Sequence, residues 1–181
     1  EGAPDAEEGG IDSHLDDPPM EGGVRRRFAV GVARLGGALH LDPDDVLYAP
    51  APIFHITGIG PVLRCVQSGA RLVLASRFDA GAAVRDMACE GVSYTTLAPA
   101  MIQACLESRE MDGADLSRLR LIVYGGSPIS EAVLGKARER IGCQFAQGYG
   151  LTEASGAVTL MTPEDHAPGR GKLASCGRAV E

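Results

Sequence analysis

Tyr149, Thr152 and Glu153 lie within five residues of one another in the stretch GYGLTEASG, 148–156. Glycines on both sides of Tyr149 let the backbone turn sharply and leave a face of the phenol ring open. A ring placed that way can stack on a flat heterocycle such as adenine. The Thr152 hydroxyl can donate to a phosphoryl oxygen, and the Glu153 carboxylate is the hard oxygen ligand that Mg²⁺ takes alongside phosphate oxygens. Aromatic ring, hydroxyl and carboxylate at this spacing suit a nucleotide and its phosphates. The same residues also suit a Gly-rich turn whose tyrosine packs while threonine and glutamate cap the next element. Residue chemistry by itself leaves both readings open.

A second candidate is YGGSPIS, 124–130, whose backbone N–H groups near a helix start could bond the edge of a ligand. It nearly matches the G-x-S-x-G elbow of hydrolases, with Ser127 as nucleophile. Ile129 fills the last glycine position, however, and Asp165 and His166 are neighbours in sequence, a poor arrangement for two separate triad roles. GRGK, 169–172, lacks the leading glycine and the following Ser/Thr of a P-loop and reads as a mobile basic loop. The five cysteines, at 65, 89, 105, 143 and 176, form no CxxC and no regular spacing. Neither a zinc site nor a disulfide frame is signalled. Cys65, Cys89 and Cys105 fall in apolar helical patterns and are expected as reduced core residues, which suits a cytoplasmic protein.

Alternating elements must position these loops. Residues 24–40 have helical apolar spacing and end at the turn 42–45. Short runs at 46–49, 71–75, 93–97, 119–124 and 144–147 read as strands, with 157–160 as another after the Gly-rich turn. Helices are predicted at 58–67, at 80–89, from Pro99, and at 130–141 with Gly142 as the stop. This rhythm predicts an α/β fold, a mostly parallel sheet with helices on both faces. Ligands of such sheets gather beyond the carboxyl ends of the strands, where both Gly-rich loops fall.

Composition narrows the function further. At 181 residues with 45% apolar and 23% charged residues, the chain is ordinary globular material. No apolar run is long enough for a membrane span, and the N-terminus shows no signal peptide. Eight of the 24 carboxylates fall in residues 1–21, which hold no Lys or Arg, so 16 acids face 17 bases in the remainder. Residues 1–21 read as a solvated, poorly ordered head and 22–181 as the folded body. The one basic cluster, Arg25-Arg26-Arg27, has no interleaved aromatic residues, so no nucleic-acid partner is expected.

Taken in order, PIFHITGIG, YGGSPIS, GYGLTE and SCGRAV (52–60, 124–130, 148–153 and 175–180) resemble the adenylate-forming superfamily of acyl- and aryl-CoA synthetases, peptide-synthetase adenylation domains and beetle luciferases. The resemblance runs from about residue 42 to the C-terminus. Leu151, where peptide-synthetase domains usually carry Pro, favours the acyl-CoA synthetase branch. The resemblance implies that ATP and a small carboxylic acid give an acyl-adenylate, and that CoA or another thiol then takes the acyl group. Carried onto this sequence, Tyr149 stacks on adenine and Gly125, Gly126, Ser127 and Pro128 line its edge. Gln147, Gly148 and Gly150 complete the nucleotide site, and Gly148 and His55 belong to the acyl pocket. Thr152 and Glu153 are the catalytic pair, with Glu153 also the Mg²⁺ ligand.

The departures from the family are as informative. The Ser/Thr/Gly-rich phosphate loop and its lysine are not found before the 24–40 helix, although Asp16-Asp17-Pro18 resembles the lead-in to it. Nor are the ribose-binding Asp, the hinge and the small C-terminal domain with its adenylation lysine. Lys136 and Lys172 are the two lysines present, neither in that context. The expectation is therefore a partial AMP-binding domain of a longer ligase, inactive alone, since losing one preorganised donor typically costs about 10²–10³ in rate. The alternative is a non-catalytic module that binds nucleotide or acyl-adenylate.

Overall fold

Apolar, often β-branched runs of four or five residues are too short for stable helices and become strands when Gly- and Pro-rich loops bound them. In the computed structural model, which describes residue 39 and residues 41–154, 156–167 and 169–180, seven such strands form one sheet. They are β1 (Val46–Ala49), β2 (Arg71–Leu74), β3 (Tyr94–Leu97), β4 (Leu121–Gly125), β5 (Gln144–Leu151), β6 (Gly156–Met161) and β7 (Arg178–Ala179). Their order across the sheet is β2-β1-β3-β4-β5-β6-β7. The first five pair in parallel, and β6 and β7 are antiparallel additions. The acidic head and the helix expected over 24–40 lie outside the described residues, except for the buried, helical Leu39.

Four helices connect the parallel strands: α1 (Ile56–Ser68), α2 (Ala80–Cys89), α3 (Pro99–Glu107) and α4 (Glu131–Ile141). Their ends follow local chemistry. Asp79 and Ser130 accept from the backbone N–H groups of Ala82 and Val133, satisfying donors left open in a first turn. Pro99 starts α3, where no intrahelical N–H is needed. Gly69 and Gly142 stop α1 and α4 in the left-handed conformation. Among the described residues no helix is long and apolar enough to cross a membrane.

Alternation along the strands divides the interior into two cores. Tyr48, Ile122, Tyr124 and Phe145 face one way and pack with Val84 and Met87 of α2, Ile102 of α3 and Leu134 of α4. Leu47, Tyr94, Leu121, Val123 and Ala146 face the other way and pack with Cys65 of α1 and with Leu39. Each large side chain fully buried in this manner contributes roughly 1.5–3 kcal/mol. The mostly parallel sheet with helices on both faces is thus as expected. At the end of the strands opposite the site, Asp45 ties the starts of β1, β3 and β4 together. It accepts from Ser93 Oγ at 2.6 Å and Arg120 Nε at 3.0 Å and also pairs with the Arg120 Nη2. Burial alone would raise the Asp45 pKa, but these donors and the Asp42 N–H outweigh it and hold the carboxyl below its ordinary value.

Two sequence expectations need correction. The Gly-rich stretch after 147 is not a turn, because β5 continues to Leu151 and pairs antiparallel with β6, shifting register at Tyr149/Gly150. A Cβ on Gly150 would lie 1.9 Å from the Gly156 carbonyl oxygen, so the glycine serves close strand approach. Cys89 is exposed, unlike Cys65 and Cys105. It follows the buried Met87 by two residues, about 200° around the helix, and so faces outward.

Candidate functional site

The carboxyl ends of β3 and β4, the second half of β5 and the start of β6 open onto a cavity of about 140 Å³ beneath α1. Glycine makes the room. Gly125 ends β4 with its absent Cβ only 2.5 Å from the Gly148 carbonyl oxygen, so any side chain there would push the two strands apart. Gly126 then turns the chain at φ +83°, a conformation costly for residues with a side chain. Gly125, Gly126, Gly148, Gly150 and His55, all named from the sequence, line this one cavity.

His55 has two roles in the geometry. It caps α1, its Nδ1 accepting from the Thr57 N–H at 3.2 Å with the Thr57 hydroxyl at 2.8 Å. An accepting Nδ1 puts the neutral ring's proton on Nε2. The cap therefore makes Nε2 the donor of the neutral ring, on a residue that also lines the cavity.

The remaining candidates lie around the cavity. Alternation along β5 turns the Tyr149 side chain away from the face that Gly148 gives to the cavity, and the ring is 49% exposed. Ser127 and Pro128 are exposed on the loop after Gly126. Gln147 is half-buried, with Oε1 3.4 Å from the Tyr124 hydroxyl. Thr152 and Glu153 share one exposed 3₁₀ turn, Thr152–Ala154, directly after β5. No group of three or more His, Cys, Asp or Glu that could hold a metal ion occurs among the described residues.

The residues nearest to a hydrolase triad are engaged elsewhere. His166 is buried, with Nε2 2.9 Å from the Tyr124 hydroxyl and Nδ1 2.7 Å from the Thr162 carbonyl oxygen. Both ring nitrogens are therefore occupied, and Asp165 pairs with Lys172. Burial holds the His166 pKa below its ordinary value and pushes that of Tyr124 up to about 12.

Sequence reasoning missed Arg64 and Thr96, which also line the cavity. The signal for Arg64 was present as a single charge within an otherwise uncharged helix, ITGIGPVLRCVQS. Thr96 could not be distinguished from other strand threonines.

The sequence profile of AMP-binding enzymes matches residues 26–181. The chain belongs to the AMP-binding enzyme family. Among curated AMP-binding enzymes it is 34% identical over 133 residues to the fatty acid–[acyl-carrier-protein] ligase ScoC of Streptomyces coeruleorubidus, covering 74% of this chain and 26% of that protein. It is 30% identical over 144 residues to 4-coumarate-CoA ligase 1 of Narcissus pseudonarcissus, covering 78% and 26%. The solved N-terminal domain of FACL13 from Mycobacterium tuberculosis superposes with a TM-score of 0.75 at 27% identity, over 83% of this chain and 38% of that one. The chain spans about a quarter of the length of the curated relatives it matches.

Proposed function

We propose that this AMP-binding chain supplies the adenine platform and the acyl cavity of an AMP-forming acid–thiol ligase. The observation that carries the reading is the join between the glycine-walled cavity and β5, which leads directly into the Tyr149 ring and the Thr152–Glu153 turn. An acid in the cavity would present its carboxylate at the strand ends, where the His55 Nε2 proton can steady an oxygen. That carboxylate attacks the α-phosphorus of ATP, the bond to the bridging oxygen breaks, and pyrophosphate leaves. A thiol then attacks the acyl carbonyl, loses its proton and expels AMP. Both curated relatives are named for joining a carboxylic acid to a thiol carrier, CoA or acyl-carrier protein, which supports a thiol acceptor here.

Tyr149 stacks on the purine while residues 125–128 follow its edge, and the Thr152 hydroxyl donates to an α-phosphate oxygen. The lone exposed carboxylate of Glu153 fits a Mg²⁺ that arrives with phosphate oxygens, because that ion commonly takes only one or two protein carboxylates. When bound there, Mg²⁺ would offset negative charge on the phosphates. In the full-length protein, Glu153→Ala is expected to lower acyl-AMP formation by about 10²–10³-fold. Equal rates for the two proteins would reject the assignment. Residues 22–181 alone are expected to give no ATP–pyrophosphate exchange. Lys172 is held by Asp165 at 2.5 Å and Lys136 lies on α4, outside the cavity lining.

A further inference from the structure

Arg64 is a buried cation with no matching anion among the described residues. It is 5% exposed, and among the described residues no carboxylate pairs with it. Its Nη2 donates to Thr96 Oγ1 at 3.2 Å, and its guanidinium carbon lies 5.4 Å from the centre of the Tyr94 ring. Nε is buried with no hydrogen-bond partner. A guanidinium has five N–H donors and cannot shed its proton, so one hydroxyl and one ring face leave much of its hydration unreplaced.

The head group opens onto the cavity. Helical side chains lean toward the N-terminus, so Arg64 reaches back over Gly60, one turn earlier. Nη1 is the atom nearest to where a Gly60 Cβ would be, at 3.4 Å, so the missing side chain at Gly60 leaves the guanidinium uncovered. His55 and Gly60 are five residues apart on α1, roughly 7 Å along its axis. The cavity therefore has a strand-end mouth, where activation is assigned, and a cationic far wall about one short carbon chain away.

We propose that Arg64 is a specificity-determining residue for an acid that carries a second carboxylate at the end remote from the one activated. This rests on the ligase reading above and adds the substrate class to it. A carboxylate matches the forked donors of arginine and cancels the charge, whereas an alkyl tail would cover the cation without doing either. A neutral hydroxyl or ketone could accept a hydrogen bond but would leave the charge uncompensated.

The test is pyrophosphate release by the full-length protein with succinate, glutarate, adipate and pimelate, each against its monomethyl ester. The ester keeps chain length and one reactive carboxylate but lacks the second charge. At the best length, kcat/KM is expected to favour the diacid by roughly 10- to 100-fold, the range of a hydrogen bond to a charged group. Arg64→Met is expected to abolish or invert that preference and Arg64→Lys to keep part of it. Should the variants fail to fold, the wild-type ratio of diacid to ester still decides. Esters used as well as or better than diacids would overturn this inference and leave the ligase reading standing. Absence of pyrophosphate release with either class, together with absence of ATP binding, would overturn both.

Discussion

The two faces of the sheet are built from the same strands with opposite outcomes. Toward α2–α4, β1, β4 and β5 present Tyr48, Ile122, Tyr124 and Phe145, all at most 1% exposed beneath Val84, Met87, Ile102 and Leu134. Toward α1, β3, β4 and β5 begin in the same fashion with Tyr94, Leu121 and Ala146. Near their carboxyl ends they give Thr96, Gly125 and Gly148, and the apolar layer stops at the cavity. Large side chains on both faces would have made a more stable domain with no place for a ligand. The closed face carries stability, and the open face gives up packing density for room and a buried charge. Departures from ideal packing concentrated at one place are what a functional site is expected to show.

The most severe way to probe this contrast is to hollow the closed face. Phe145→Ala removes a ring that is 1% exposed, and changes of this kind cost about 3–5 kcal/mol. Urea unfolding should show that loss, while the KM for ATP of the folded fraction stays at its wild-type value. A loss below about 1 kcal/mol would mean that the α2–α4 face is not the stabilising one. Tyr149→Ala should do the reverse. The ring is half-exposed, so unfolding free energy should change by no more than about 0.5 kcal/mol, typical of surface substitutions. ATP binding should weaken by roughly 10- to 100-fold, the range of one base–aromatic stack. Unchanged ATP affinity would remove the stacking assignment and leave the cavity without its adenine platform.

The fold was readable because alternation, end signals and connection lengths agree. Asp79, Ser130, Pro99, Gly69 and Gly142 mark the helix ends, and the apolar runs at 46–49 and 71–75 can only be strands at that length. The glycine walls of the site were legible by type but not by purpose. GYGL looks like a turn because glycine is the usual turn residue, whereas here it allows β5 and β6 to approach more closely than side chains permit. That Arg64 and Thr96 come together was opaque for another reason. Their meeting across 32 residues depends on how α1 crosses the strand ends, and that angle is set by tertiary packing. The Tyr124–His166 bond, across 42 residues, was hidden in the same way.

That bond supplies the finest test of the contrast, because it is a polar contact inside the closed face, next to the open one. Thr162 accepts from His166 Nδ1–H, so Nε2 must accept from the Tyr124 hydroxyl, one residue before Gly125. Protonating the ring would put a second N–H against that same oxygen in a site shielded from water. Burial is the main cause of the lowered His166 pKa. The Thr162 carbonyl opposes it by favouring the charged ring, Arg138 adds to the lowering, and Asp165 pulls the other way. A depressed folded pKa means that the unfolded chain takes up the proton first. The stability present above the ordinary histidine value of about 6.5 is therefore lost as pH falls from there toward the folded pKa. His166→Gln can still donate to the Thr162 carbonyl or accept from Tyr124 but cannot titrate, so its urea midpoint should fall less on acidification from about pH 7.5 to about pH 5.5. The difference cannot exceed about 1.4 kcal/mol per pH unit. Parallel losses in the two proteins would show that water reaches His166, and that the face under α4 is less closed than its burial indicates.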